Sequence, residues 1–130
     1  MNQLKPTKKL DSSKPLLLID DQVMLATVMA EILKVEGLQS EVCHDYESSI
    51  KAIQKRDYSL IICDLNLSSA FVTDKILEAA KAKNPNQALA IMSGSQISQD
   101  PRITDFLKRN PDTLLLSKPF DTNQVTALFK

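Results

Sequence analysis

Five times along this 130-residue chain a short apolar run gives way to a stretch with helical spacing, and that alternation restricts the fold more than any other feature. Parallel strands need long crossover connections, usually a helix, so strand–helix alternation calls for a parallel sheet with helices on both faces. The runs at residues 15–19, 38–43, 59–63, 88–92 and 113–116 are short and apolar, as expected of strands buried on both sides. Between them, residues 22–36 carry Leu25, Val28, Met29, Ile32 and Val35 at helical spacing, and Gly37 follows as a stop. Asp45 can cap a helix running to about Lys55. Residues 73–83 place Ile76, Leu77 and Ala80 on one face, ended by Asn84-Pro85. Asp100-Pro101 opens a fourth helix that Asn110-Pro111 ends. Asp121 with Gln124 resembles a capping box for a last one.

Composition serves mainly to exclude. Two glycines, Gly37 and Gly94, are too few for a G-x-G-x-x-G turn, and no Walker motif is present. Any phosphate handling must therefore do without a glycine-rich cradle. Sixteen basic residues balance sixteen acidic ones, so there is no bulk electrostatic case for nucleic acid. Cys43 and Cys63 lie in apolar runs and read as reduced, buried thiols. His44 is the only histidine, too little for a zinc site, and a Ser/His/Asp or Cys/His set would have to use it as base. Residues 1–13 are polar, with Lys5, Lys8 and Lys9, and read as a flexible leader without the apolar stretch of a signal peptide. Apolar runs such as residues 16–19 are too short to span a membrane. A cytoplasmic protein with one folded domain over residues 14–130 is expected.

Alternation alone leaves strand order open. In the flavodoxin-like order 2-1-3-4-5 the switch point lies between the first and third strands, and ligands bind at the carboxyl ends beside it. Four of the five strands deliver polar residues to that edge: Asp20-Asp21, Asp64, Ser93-Gly94, and Ser117-Lys118-Pro119-Phe120. One acid at a strand end is common, because Asp favours turns. Three converging acids are not, and packed carboxylates resist joint ionisation unless a cation sits among them. A hard divalent ion fits such oxygen ligands, and magnesium needs only one or two carboxylates because it keeps several waters. That leaves a carboxylate available as a nucleophile, as in aspartyl-phosphate chemistry. Lys118 would neutralise an incoming phosphoryl group, Ser93 would donate to one of its oxygens, and Gly94 would leave room for it.

The segments LLLIDDQ, IICDLNL, AIMSGS and LLLSKPF, in this order between Pro15 and Phe120, resemble the receiver domain of two-component response regulators. The resemblance implies a flavodoxin-like fold with five parallel strands in the order 2-1-3-4-5. It makes Asp64 the phosphoacceptor and Asp21 a direct magnesium ligand, with Asp20 usually acting through water. Asn66 would complete the metal site through its backbone carbonyl. Ser93 matches the hydroxyl that turns toward the phosphoryl group, and Lys118 the lysine paired with the acceptor or its phosphate. Asn66 and Ser95 would tune the access of hydrolytic water. A cis peptide often precedes the proline matching Pro119. The implied cofactor is Mg2+, and the implied partner is a sensor histidine kinase or phosphotransfer protein, with no direct nucleic-acid or membrane contact. The implied role is a switch rather than an enzyme, with only slow autodephosphorylation.

Three positions depart from the family's usual pattern. Leu115 replaces the switch aromatic, Ser68 a frequent proline and Val72 a frequent glycine, so a different shape is expected for residues 67–72. Two other classes compete. A degenerate receiver would act as an interaction module without phosphorylation, but it would not need a costly carboxylate cluster. An Asp-nucleophile phosphohydrolase of the haloacid-dehalogenase type has its nucleophile first and wants a second acid two residues on. Here the acid pair comes first and Asn66 takes that second place.

Overall fold

In the computed structural model, residues 9–65, 67, 70–94, 101–118 and 120–129 are described. The alternation resolves into β1 (Leu16–Ile19), α1 (Val23–Val35), β2 (Ser40–Cys43), α2 (Tyr46–Lys55) and β3 (Leu60–Asp64). There follow α3 (Ala70–Lys83), β4 (Leu89–Ser93), α4 (Pro101–Arg109), β5 (Leu114–Ser117) and α5 (Thr122–Thr126), which runs into a 3-10 turn at Ala127–Phe129. The five strands form one parallel sheet in the order β2-β1-β3-β4-β5. This is the expected flavodoxin-like arrangement.

Strand periodicity of two divides the apolar residues between two cores. Leu17, Ile19, Ile61, Cys63, Leu89 and Ile91 face one layer, packed with Ile53 from α2, Leu77 from α3 and Phe106 from α4. Their sequence neighbours Leu16, Leu18, Leu60, Ile62, Ala90 and Met92 face the other, packed with Met29 and Leu33 from α1 and Val125 from α5. Because β1, β3 and β4 are buried on both faces, they read as unbroken apolar runs rather than alternating ones. Each fully buried Leu or Ile contributes about 1.5–3 kcal/mol relative to exposure. β5 lies at an edge and alternates: Leu114 and Leu116 are buried, whereas Leu115 and Ser117 face out.

The local signals are realised in detail. Asp45 accepts a 2.8 Å hydrogen bond from the Ser48 N–H and caps α2. Gly37 ends α1 in the left-handed region at φ +90°. Asp121 caps α5 by accepting from the N–H of Asn123, the second residue of the helix. β3, β4 and β5 each run one residue past the apolar run that marked them, so Asp64, Ser93 and Ser117 are their last residues. α3 begins three residues earlier than the expected residue 73. α1 buries Ala26, Met29 and Leu33, while Val28, Ile32 and Val35 stand exposed, so periodicity located this helix without identifying its buried face.

Within the segment read as a leader, the Leu10 N–H donates to the Leu128 carbonyl at 2.9 Å, and Leu10 packs on the α1/α5 core. Both cysteines are buried free thiols, and burial pushes each thiol up from its ordinary value. Among the described residues no helix is long and apolar enough to cross a membrane.

Candidate functional site

The sheet order sets β1 beside β3, and their connections leave on opposite faces: α1 packs on one core and α3 on the other. That divergence makes the carboxyl ends of the two strands the topological switch point, where ligands bind in sheets of this kind. Asp20 follows β1 and Asp64 ends β3. Carboxylate oxygens of Asp20, Asp21 and Asp64 lie within 4.8 Å of one another. Asp20 and Asp64 are buried, whereas Asp21 is exposed at the rim. Asn66, the expected backbone ligand, lies outside the described residues, as do Ser68, Ser95 and Pro119.

Lys118 reaches this cluster from the end of β5, with its own N–H donating to the Ser93 carbonyl at 3.0 Å. Its side chain is only 11% exposed. Nζ donates to Asp64 Oδ2 at 2.8 Å and to Asp20 Oδ1 at 3.2 Å. It also lies 3.2 Å from Asp20 Oδ2, yet that oxygen is buried and accepts no hydrogen bond from the described residues. Ser93 is buried at the end of β4, in register with Ser117 on β5. Gly94 beside it is open, and a Cβ there would meet no atom within 4 Å. Four strand ends thus bring Asp20, Asp21, Asp64, Ser93 and Lys118 to one edge of the sheet.

Backbone contacts hold the acids in place. The Asp20 N–H donates to the Cys43 carbonyl at 3.0 Å, and Asp20 Oδ1 accepts the Gln22 N–H at 2.9 Å. His44 Nδ1 stands 2.9 Å from the Asp20 carbonyl oxygen. A carbonyl can only accept, so Nδ1 carries the proton and donates. His44 therefore buttresses the β1–α1 turn, and no sequence motif signals this. Its position at the end of β2, next to β1 in the sheet, is the one clue.

The charges are unevenly matched. Burial lifts the Asp20 carboxyl above its ordinary range, and the Asp64 charge adds to this. Hydrogen bonds from the Gln22 N–H and Lys118 oppose the rise without overcoming it. Burial would lower Lys118, but its hydrogen bonds to Asp64 and Asp20 outweigh that and hold the ammonium above its usual value. Among the described residues, Lys118 pairs with Asp20 and Asp64, and Asp21 stands beside them at the rim. Asp20 Oδ2, ion-paired but without a hydrogen bond among the described residues, and the two buried acids suit a hard divalent cation with oxygen ligands.

A sequence model of the response regulator receiver domain matches residues 16–130. The chain is 24% identical over 124 residues to the photosynthetic apparatus regulatory protein RegA of Rhodobacter capsulatus, covering 91% of this chain and 62% of that protein. It thus spans less than two thirds of that relative's length. A CheY-like receiver domain protein from Methanospirillum hungatei JF-1 superposes with TM-score 0.74 at 19% identity, covering 88% of each chain. A response regulator from Burkholderia pseudomallei, solved with a phosphorylated aspartic acid, calcium ion and citrate, superposes with TM-score 0.72 at 21% identity, covering 90% of this chain and 66% of that one.

Proposed function

Because this chain belongs to the response regulator receiver domain family, we propose that it is a phosphorylation-controlled switch whose phosphoacceptor is Asp64. The observation that carries this reading is the Lys118 ammonium, 2.8 Å from one oxygen of a buried Asp64 carboxylate and within reach of Asp20. A carboxylate so placed keeps one oxygen fixed on a cation that can also meet an incoming phosphoryl group.

In the proposed step an Asp64 oxygen attacks phosphorus, and the new O–P bond forms as the donor's N–P bond breaks. The bonding pair leaves on the imidazole nitrogen of a phosphohistidine carried by a histidine kinase or phosphotransfer protein. With acetyl phosphate the leaving group is acetate. Lys118 and the Ser93 hydroxyl then hold the phosphoryl oxygens, and water reverses the reaction by attack on phosphorus. Such transfer depends chiefly on positioning and charge stabilisation. Asp20, Asp21, Asp64 and the Asn66 carbonyl would hold Mg2+, which supplies neutralising positive charge when bound. The Burkholderia regulator, with its phosphorylated aspartic acid and calcium ion, carries chemistry of the same kind.

A protein donor is supported by α1, which begins two residues after Asp21 and exposes Val23, Met24 and Val28. Phosphorylation would act by repacking near β4 and β5 and presenting a changed surface to a further protein, in the cytoplasm and without contact to nucleic acid. The chain turns over no separate substrate in this reading. One observation favours a phosphorylation-independent module instead: Leu115, at the switch position, is 45% exposed on β5 and has no aromatic ring to move.

The test is labelling by acetyl phosphate with magnesium, read by intact mass. The parent protein gains one phosphoryl group and Asp64→Asn gains none. Undiminished labelling of Asp64→Asn removes Asp64 as acceptor, and an unlabelled parent with no magnesium affinity supports the module reading.

A further inference from the structure

The acceptor's backbone is tied down by a residue that the phosphoryl chemistry does not call upon. Thr73 is fully buried near the start of α3. Its Oγ1 lies 2.9 Å from the Asp64 carbonyl oxygen and 3.0 Å from that of Leu65. A hydroxyl has one proton to donate, so the two carbonyls share it in a three-centre bond. Both carbonyls sit where the sheet stops serving them. The Leu65 N–H still donates to Met92 at 2.8 Å. Among the described residues, the Leu67 N–H also reaches Asp64 O at 3.4 Å and Cys63 Sγ at 3.6 Å. Buried backbone carbonyls in native structures are paired, and Thr73 supplies a short bond to each of these two.

We propose that Thr73 is a positioning residue for phosphoryl acceptance, its hydroxyl fixing the two peptide planes after the Asp64 Cα and so the direction in which the carboxylate is presented. This deepens, and rests on, the reading of Asp64 as acceptor. Lys118 fixes the tip of the Asp64 side chain from above the strand ends, at 2.8 Å. The Thr73 hydroxyl fixes its root from below, and the first turn of α3 carries that hydroxyl. With the root free, the carboxylate keeps its charge and its lysine but loses the in-line approach to phosphorus. A displacement of about 1 Å in a reacting group can cost on the order of a hundredfold in rate.

The experiment compares Thr73→Val, which keeps the branched shape and removes the hydroxyl, with Thr73→Ser, which keeps the hydroxyl. Labelling by acetyl phosphate with magnesium is followed by intact mass over a range of acetyl phosphate concentrations, alongside urea unfolding to give the folded fraction. The limiting rate per folded molecule should fall about tenfold or more in Thr73→Val, with the half-saturating concentration unchanged and the rate near that of the parent in Thr73→Ser. A purely structural role would lower the folded fraction and leave that rate alone. Should Thr73→Val fail to fold, Thr73→Ala at low temperature makes the same comparison with Thr73→Ser. Folded hydroxyl-free protein that labels at the parent rate overturns the proposal, and so does Thr73→Ser labelling as slowly as the hydroxyl-free variant. An unlabelled parent overturns the acceptor reading itself, a result distinct from either of these.

Discussion

Lys118→Met tests whether one ammonium holds the acid cluster together. Methionine keeps much of the stem's length and packing while removing the charge, so the effect isolates electrostatics. In the parent, Nζ lies 2.8 Å from Asp64 and 3.2 Å from Asp20, in a setting where the lysine is 11% exposed and both acids are buried. Without it, carboxylate oxygens no more than 4.8 Å apart face each other with that ammonium's charge gone. At an effective dielectric constant of about 20, two unit charges at that separation repel by about 3.5 kcal/mol. Removing one partner of a buried ion pair typically costs about 3–5 kcal/mol, and the repulsion alone accounts for a value in that range. Domain stabilities are about 5–15 kcal/mol, so the metal-free variant should lose a large share of its margin.

The pH dependence distinguishes this from lost packing. The Asp20 carboxyl is already raised by burial with the lysine present, and losing the cation raises it further. A folded state whose carboxyl binds its proton more tightly than the unfolded chain gains stability as pH falls. The gain is complete only below the unfolded value of about 3.9 and is lost as pH rises through the folded one. Urea unfolding in a chelator should therefore show a deficit of about 3–5 kcal/mol at about pH 7.5 that shrinks at about pH 5. Magnesium should restore more stability to the variant than it adds to the parent, because it replaces the missing charge. A deficit below about 1 kcal/mol, or one equal at both pH values and indifferent to magnesium, would refute the charge argument.

Asp20→Asn removes a carboxylate that is costly to bury ionised, so the metal-free protein should become more stable to urea, while magnesium affinity measured by calorimetry falls at least about tenfold. The sign is the informative part: a site residue kept for function should be one the fold is better off without. His44→Ala removes the donor to the Asp20 carbonyl and should weaken magnesium binding by about threefold to tenfold, whereas His44→Asn, whose amide can donate from a similar position, should keep it near the parent value. Equal affinities in the alanine and asparagine variants would show that this hydrogen bond does not hold the turn.

How far the sequence disclosed all this depends on what kind of signal each part leaves. The sheet was legible because burial on both faces writes unbroken apolar runs, and five of them are spaced by helix-length segments. Asp20, Asp21, Asp64, Ser93 and Lys118 were legible because a parallel sheet sends every strand's carboxyl end to the same edge, so residues remote in sequence share one address. What stayed hidden travels by other routes. The buried face of α1 was obscured because apolar residues surround that helix, and Ala26 carries too little hydrophobicity to mark the packed side against Val28 or Val35. His44 and Thr73 act through backbone carbonyls, which every residue has, so no partner residue type betrays them. Asp64 therefore has two kinds of neighbour. The charged ones that set its chemistry show through residue identity, whereas those that set its direction show only through distances. The first kind identifies a receiver, and the second is where the proposed phosphoryl acceptance would have its rate set.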